Sequence, residues 1–146
     1  MNTIKPEALT FFSPKSIDSN GALFIDTGIS AGFPSPADDF RETRISLDEE
    51  LIQNKEATFF AKVSGQSMIG AGLDDNDLLV IDRSIEPINN KIAVCYLDGE
   101  FTVKRLRVEK GNIWLKPENP DYPIIEITED NNFIIWGIVT NVIKKV

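Results

Sequence analysis

From Met1 to Ala31 the chain keeps neither a helical nor a strand-like alternation of apolar and polar residues. Short apolar pieces, Leu9 to Phe12 and Leu23 to Ile25, are broken by Pro14, Gly21, Gly28 and several serines and asparagines. A segment of this kind cannot bury a continuous face, which predicts an extended arm that gains order by docking on a body. Gly32-Phe33-Pro34-Ser35-Pro36 follows as a stiff joint, since each proline drives its predecessor out of the helical region. One short helix is expected from Leu47 to Gln53, opened by a capping box of Ser46 and Glu49. Beyond it the pattern is β. Thr58 to Val63, Leu78 to Asp82 and Lys91 to Leu97 are strand-like runs, and Asp98-Gly99 marks a tight hairpin into the strand that holds Lys104. Lys110-Gly111-Asn112 predicts a second hairpin into Ile113 to Lys116. Further strands are expected at Ile124 to Ile127 and Phe133 to Lys144, the last interrupted at Gly137. Strands this short and frequent imply a compact, curled, mostly antiparallel β fold.

The bulk properties narrow the function classes. A chain of 146 residues supports a single hydrophobic core, and its net charge of −8 opposes direct gripping of DNA phosphates or docking on an anionic membrane. DNA, if it matters, is reached through another protein. One cysteine and no histidine leave no internal disulfide and no ordinary zinc site; Cys95, inside an apolar run, reads as a core thiol. No apolar run approaches the ~20 residues that span a bilayer. The start of the chain lacks the apolar stretch of a signal peptide, so a cytoplasmic protein is expected.

The candidate chemistry lies in a serine and a lysine. Ser67 stands where the strand pattern of Val63 breaks at a glycine, in Ser64-Gly65-Gln66-Ser67-Met68. Without histidine a Ser-His-Asp triad is impossible, and the established substitute base is a desolvated lysine. Strand alternation puts Thr102, Lys104, Leu106 and Val108 on one face and Phe101, Val103, Arg105 and Arg107 on the other. The two arginines wet the second face, which turns Lys104 inward, where apolar surroundings disfavour an ammonium ion. The turn before Met68 can expose a hydroxyl and aim the backbone of Gln66 and Met68 at an oxyanion. The plainer alternatives stay open at this level: an edge-strand surface lysine and an ordinary turn serine. Asp74, Asp75 and Asp77 lack the glycine and distal glutamate of a calcium loop and read as a solvated loop.

Taken together, Ser64-Gly65-Gln66-Ser67-Met68, then Asp77-Leu78-Leu79-Val80, then Asp98-Gly99-Glu100-Phe101-Thr102-Val103-Lys104-Arg105-Leu106 resemble the LexA/UmuD self-cleaving Ser/Lys peptidases. Ala31-Gly32-Phe33-Pro34-Ser35-Pro36 is similar to the cleavage region of the UmuD branch, and the resemblance runs from Ile29 to Ile143. It implies a LexA/signal-peptidase-like β fold with an N-terminal arm (residues 1–31) and a peptidase body (residues 32–146). It further implies that Lys104 deprotonates Ser67, which attacks Ala31 and splits the Ala31-Gly32 bond. No metal or cofactor is implied. The partners it implies are a second copy in a homodimer, the RecA filament on single-stranded DNA as stimulus, a UmuC-like polymerase in SOS translesion synthesis, and the sliding clamp.

Four other readings compete. LexA and phage repressors place a helix-turn-helix module, on the order of 60 residues, before the cleavage site, whereas 31 residues precede Gly32 here. Signal peptidases share a Ser-Gly-x-Ser-Met box but need a membrane anchor. A polymerase or clamp adaptor whose Ser/Lys pair no longer cuts finds no support in the intact Ser67, Lys104 and Ala31-Gly32, and a mobile-element regulator reusing the fold would be opposed by genomic adjacency to a UmuC-like polymerase.

Overall fold

The computed structural model describes residues 8–15, 22–25, 31–32 and 42–146. They fall into two compact units: the chain up to Pro14 together with Asn54–Val146, and Lys15–Gln53. Of the expected stiff joint, residues 33–36 lie outside the described residues, as does the start of the chain before Ala8.

The larger unit is a single eight-stranded antiparallel sheet. Its strands are β1 (Ala8–Phe12), β4 (Thr58–Ser64), β5 (Leu78–Asp82), β6 (Ile92–Leu97), β7 (Glu100–Glu109), β8 (Asn112–Lys116), β9 (Ile125–Glu126) and β10 (Phe133–Ile143). Their order across the sheet is β1-β4-β5-β10-β6-β7-β8-β9. In a flat sheet β1 and β7, five strand spacings apart, would lie ~24 Å from each other. Instead the Phe11 and Phe101 rings meet at 5.0 Å. The sheet is therefore curled into a half-barrel, as the short, frequent strands predict.

β10 does much of the bending. Its first half pairs with β6 and its second half with β5, with register shifts between Ile135 and Gly137 and between Val139 and Asn141. Such bulges bend a strand and raise its twist. The interruption expected at Gly137 is thus a shift of register within one continuous strand. The Asp98-Gly99 hairpin forms as read: φ is 48° at Asp98 and 91° at Gly99, the doubly positive pair that a two-residue turn matched to strand twist requires. The Asp98 carboxylate also accepts from the Asn132 N–H and the Asn131 side chain, both at 2.8 Å, which ties this hairpin to the start of β10. β9 is shorter than expected: its register pairs are Trp114–Glu126 and Leu115–Ile125, and just beyond it the Ile127 N–H donates to the Ile113 carbonyl at 2.9 Å.

Apolar side chains pack on both sides of β6. Val94 joins Ala61, Val63, Met68, Leu73, Leu79, Ile81 and Val103, with Leu9, Phe11 and Trp136 packed against them. Ala93 and Cys95 point the other way, into a cluster with Leu106, Leu115 and Ile138. Lys104 pairs across the strands with Ala93, and Thr102 with Cys95, so both belong to this second face.

In the smaller unit, β2 (Ala22–Ile25) pairs antiparallel with β3 (Glu42–Ile45), a strand the charged sequence did not announce. The helix α1 runs Leu47–Leu51, and Ser46 Oγ accepts from the Glu49 N–H at 3.3 Å. It stops short of Gln53 because Ile52 adopts an extended conformation (φ −106°, ψ 101°) and is buried. Outside α1, short 3-10 turns cover Lys55–Ala57 and Ile69–Ala71.

The Cys95 thiol is fully buried, and burial pushes its pKa up from 9.0 to about 12, partly offset by the nearby positive charge of Lys104. Because the folded value is raised, the thiol's contribution to stability is complete below pH 9 and is lost as pH rises towards 12. Alkylation of the native chain at pH 8 to 9 is therefore expected to run at least ~100-fold slower than in guanidinium-unfolded chain, since the thiolate is the reactive species. Iodoacetamide labelling followed by mass reads this directly; equal rates would contradict the burial.

Candidate active site

The Ser67 turn is built by its own loop before it meets the lysine. β4 ends at Ser64, and Gly65 takes a φ of 114°, a conformation that a side chain would strain. Its N–H donates to Asp75 Oδ1 at 3.0 Å. Asn76 N–H donates to the Val63 carbonyl (2.8 Å) and Val63 N–H to the Asp77 carbonyl (2.9 Å), closing the base of the loop. Asp77, only 5% exposed, accepts from the Asp74 N–H at 2.8 Å and from the Lys144 ammonium. The acidic cluster expected to be a solvated loop is thus solvated only at Asp74; Asp75 and Asp77 fasten the turn. Among the described residues, no group of three His, Cys, Asp or Glu side chains is gathered as a metal would need.

A second segment clamps the turn from outside. Asn119 Nδ2 donates to the Gln66 carbonyl at 2.9 Å, Glu118 N–H to the Ser67 carbonyl at 2.8 Å, and Gly70 N–H to the Glu118 carbonyl at 2.8 Å. Gly70 is required by this closeness, since a Cβ there would lie 2.5 Å from the Glu118 carbonyl oxygen. Glu118 is itself held by Arg105 (Nε to Oε1, 2.6 Å), whose Nη1 donates to the Asn90 carbonyl at 2.7 Å. In a trans peptide the carbonyl and the following N–H point in opposite directions. Holding the Gln66 and Ser67 carbonyls on the clamp therefore turns the N–H groups of Ser67 and Met68 away from it. The Met68 side chain, 3% exposed, anchors the turn in the core.

The lysine arrives from the middle of β7. Lys104 is 4% exposed and Ser67 1%, and Lys104 Nζ lies 3.1 Å from Ser67 Oγ. Nζ also donates to Thr102 Oγ1 at 2.6 Å and to the Val103 carbonyl at 3.2 Å. The structure thus joins the two residues singled out in the sequence, 37 positions apart, and places the lysine inward. The Ser67 contact can work in either direction: an ammonium donates to the hydroxyl oxygen, whereas a neutral amine accepts the hydroxyl proton. The second arrangement is that of an activated nucleophile and its base.

Ala31 and Gly32 are exposed bends of the smaller unit, with open space around Gly32. The Gln66 side chain is exposed, its backbone carbonyl engaged by the clamp. Sequence reasoning did not single out Thr102, Arg105, Glu118 or Asn119 as parts of the site. Thr102 was within reach, because it shares Lys104's face two residues earlier. Asn119, between Pro117 and Pro120, carries only the weaker signal of a polar residue in a proline-stiffened loop.

The Peptidase S24-like family profile matches residues 23–140. Protein MucA of Salmonella typhimurium is 42% identical over 114 residues, covering 77% of each chain. Protein ImpA of Escherichia coli is 42% identical over 123 residues, covering 84% of this chain and 83% of ImpA. The LexA repressor of Paracidovorax citrulli is 40% identical over 117 residues, 80% of this chain but 52% of the repressor. The profile and the relatives each cover most of the chain. This chain therefore belongs to the Peptidase S24-like family, that of the LexA- and UmuD-type peptidases.

Proposed function

We propose that this chain is a self-processing serine peptidase in which Ser67 is the nucleophile, Lys104 the general base and Ala31-Gly32 the bond cut. The observation that carries the reading is the buried 3.1 Å contact between Lys104 Nζ and Ser67 Oγ. A neutral Lys104 takes the hydroxyl proton as Ser67 Oγ adds to the Ala31 carbonyl carbon. The oxyanion meets backbone N–H groups of the turn from Gln66 to Met68, of which those of Ser67 and Met68 are turned away from Glu118 and Asn119 by the clamp. Collapse expels the Gly32 amine, which takes the proton from Lys104 and leaves an Ala31 ester on Ser67. Water, deprotonated by the neutral Lys104 amine, then attacks the ester, and Lys104 returns that proton to Ser67 Oγ as the Ala31 carboxylate leaves. Thr102 Oγ1 and the Val103 carbonyl orient Nζ during both transfers.

The wider role follows the resemblance to UmuD-type proteins. In this reading cleavage is stimulated by the RecA filament on single-stranded DNA. The processed homodimer then serves a UmuC-like polymerase, with the sliding clamp as a further partner, in SOS translesion synthesis. The net charge of −8 suits an adaptor that binds proteins while its partners hold the DNA.

The test is self-cleavage of the purified full chain, followed by intact mass from pH 7 to 10 with and without RecA filament. The pieces are expected to meet at Ala31-Gly32. Cleavage should be faster at the alkaline end of this range, because only a neutral amine accepts a proton. Ser67→Ala should abolish cleavage, and Lys104→Ala should slow it by about 10²–10⁴-fold. A chain that stays intact throughout, filament included, would overturn the reading.

Two subtler variants test the supports. Thr102→Val, which removes one partner of Nζ, is expected to slow cleavage roughly tenfold, the scale of one hydrogen bond. Gly70→Ala forces Glu118 from the turn and should cost about 10²-fold in rate, the scale of an ångström of misplacement. Wild-type rates in both would show that neither Thr102 nor the clamp positions the pair.

A further inference from the structure

β1 is an edge strand of the larger sheet, yet it is also a plug. It pairs with β4 in the register Leu9–Val63, Thr10–Lys62 and Phe11–Ala61. Alternation sends Leu9 and Phe11 onto the core face, against a cluster containing Ala61 and Val63, while Thr10 and Phe12 face outward. The Phe11 ring fills a niche walled by Phe101 (5.0 Å between centroids) and Trp136 (4.7 Å). Phe59 and Tyr96 line its rim, at 5.1 Å from Trp136 and 5.4 Å from Phe101 respectively. All of β1 precedes Ala31, so its only covalent link to the sheet it completes runs through the bond assigned to processing.

We infer that the outer edge of β4, with the niche between Phe101 and Trp136, is a strand-acceptor site. It takes an extended peptide bearing apolar side chains two residues apart, and β1 is its tethered occupant. The chemistry of the occupant is read from β1 itself: main-chain hydrogen bonds to β4, a leucine over Val63, and an aromatic ring in the niche. An emptied site would present unpaired β4 N–H and carbonyl groups beside Ala61, Val63, Phe101 and Trp136. That combination is avoided on free surfaces and is satisfied by strand addition. Before processing, the tether holds β1 at an effective concentration on the order of millimolar, which excludes competitors. After the cut, the same segment competes on equal terms with any other strand of matching pattern. The inference rests on the processing reading only for how the tether is severed.

The test severs the tether by other means. In the Ser67→Ala chain, a recognition sequence for an added specific protease is inserted directly after Ala31, and the chain is cut. The N-terminal piece is expected to co-elute with the remainder on size exclusion. A fluorescent peptide of residues 5–14 should bind the cut protein in exchange with that piece and fail to bind the uncut chain. The same peptide with Phe11→Ala should bind at least about tenfold more weakly. Immediate loss of the N-terminal piece together with no peptide binding would overturn the inference. So would equal binding to cut and uncut chain, or indifference to Phe11→Ala. Because the cut does not depend on Ser67, a failure here is distinct from a failure of self-cleavage.

Discussion

A primary amine buried within a β-sheet is the constraint around which this molecule is arranged. Taking an ammonium out of water costs several kcal/mol unless oxygens replace the lost solvent. Lys104 sits on the strand face shared with Ala93, Cys95 and Leu106 and reaches three oxygens, from Ser67, Thr102 and Val103, within 3.2 Å. One of these belongs to another segment of chain, so the amine fixes where the Ser67 turn must be. The turn in turn needs its own rigidity, supplied by Asp75 and Asp77 from inside and by Glu118 and Asn119 from outside. Arg105, the neighbour of Lys104 on β7, anchors Glu118 from the opposite face of the same strand. Two consecutive residues thus hold the chemistry and its scaffold together.

Much of the sheet could be read from local pattern because its demands are local. Asp98-Gly99 requires two positive φ values, and only a narrow set of residues offers them. The inward turn of Lys104 was legible through its neighbours, because Arg105 and Arg107 mark the wetter face by alternation. The clamp was not legible. Asn119 reaches Gln66 across 53 residues, and nothing in either neighbourhood encodes the meeting. The aspartates were misread for a similar reason: Asp77 is buried against Lys144, which returns from the far end of the chain 67 residues later. β3 escaped because Glu42-Thr43-Arg44-Ile45 is strand only by pairing with β2. The docking of the early segment was expected, but its partner β4 is a non-local choice that periodicity cannot name.

The curl of the sheet links these features. Bulges in β10 bring the β1 edge round to β7, so that Phe11 from the first strand meets Phe101, three residues before the buried lysine. The segment before Ala31 is thereby part of the sheet's structure. Under the proposed processing, a single peptide bond would control both a covalent state and the occupancy of a sheet edge.

The central claim is that Lys104 acts as a base and not merely as a buried cation, and Lys104→Arg tests it most directly. Guanidinium keeps the charge and the hydrogen-bond donors but does not give up its proton in proteins. In a Lys104→Arg chain shown by circular dichroism to keep its β fold, the account predicts no cleavage at Ala31-Gly32 from pH 7 to 10, with or without RecA filament. Cleavage near the wild-type rate in that variant would contradict it.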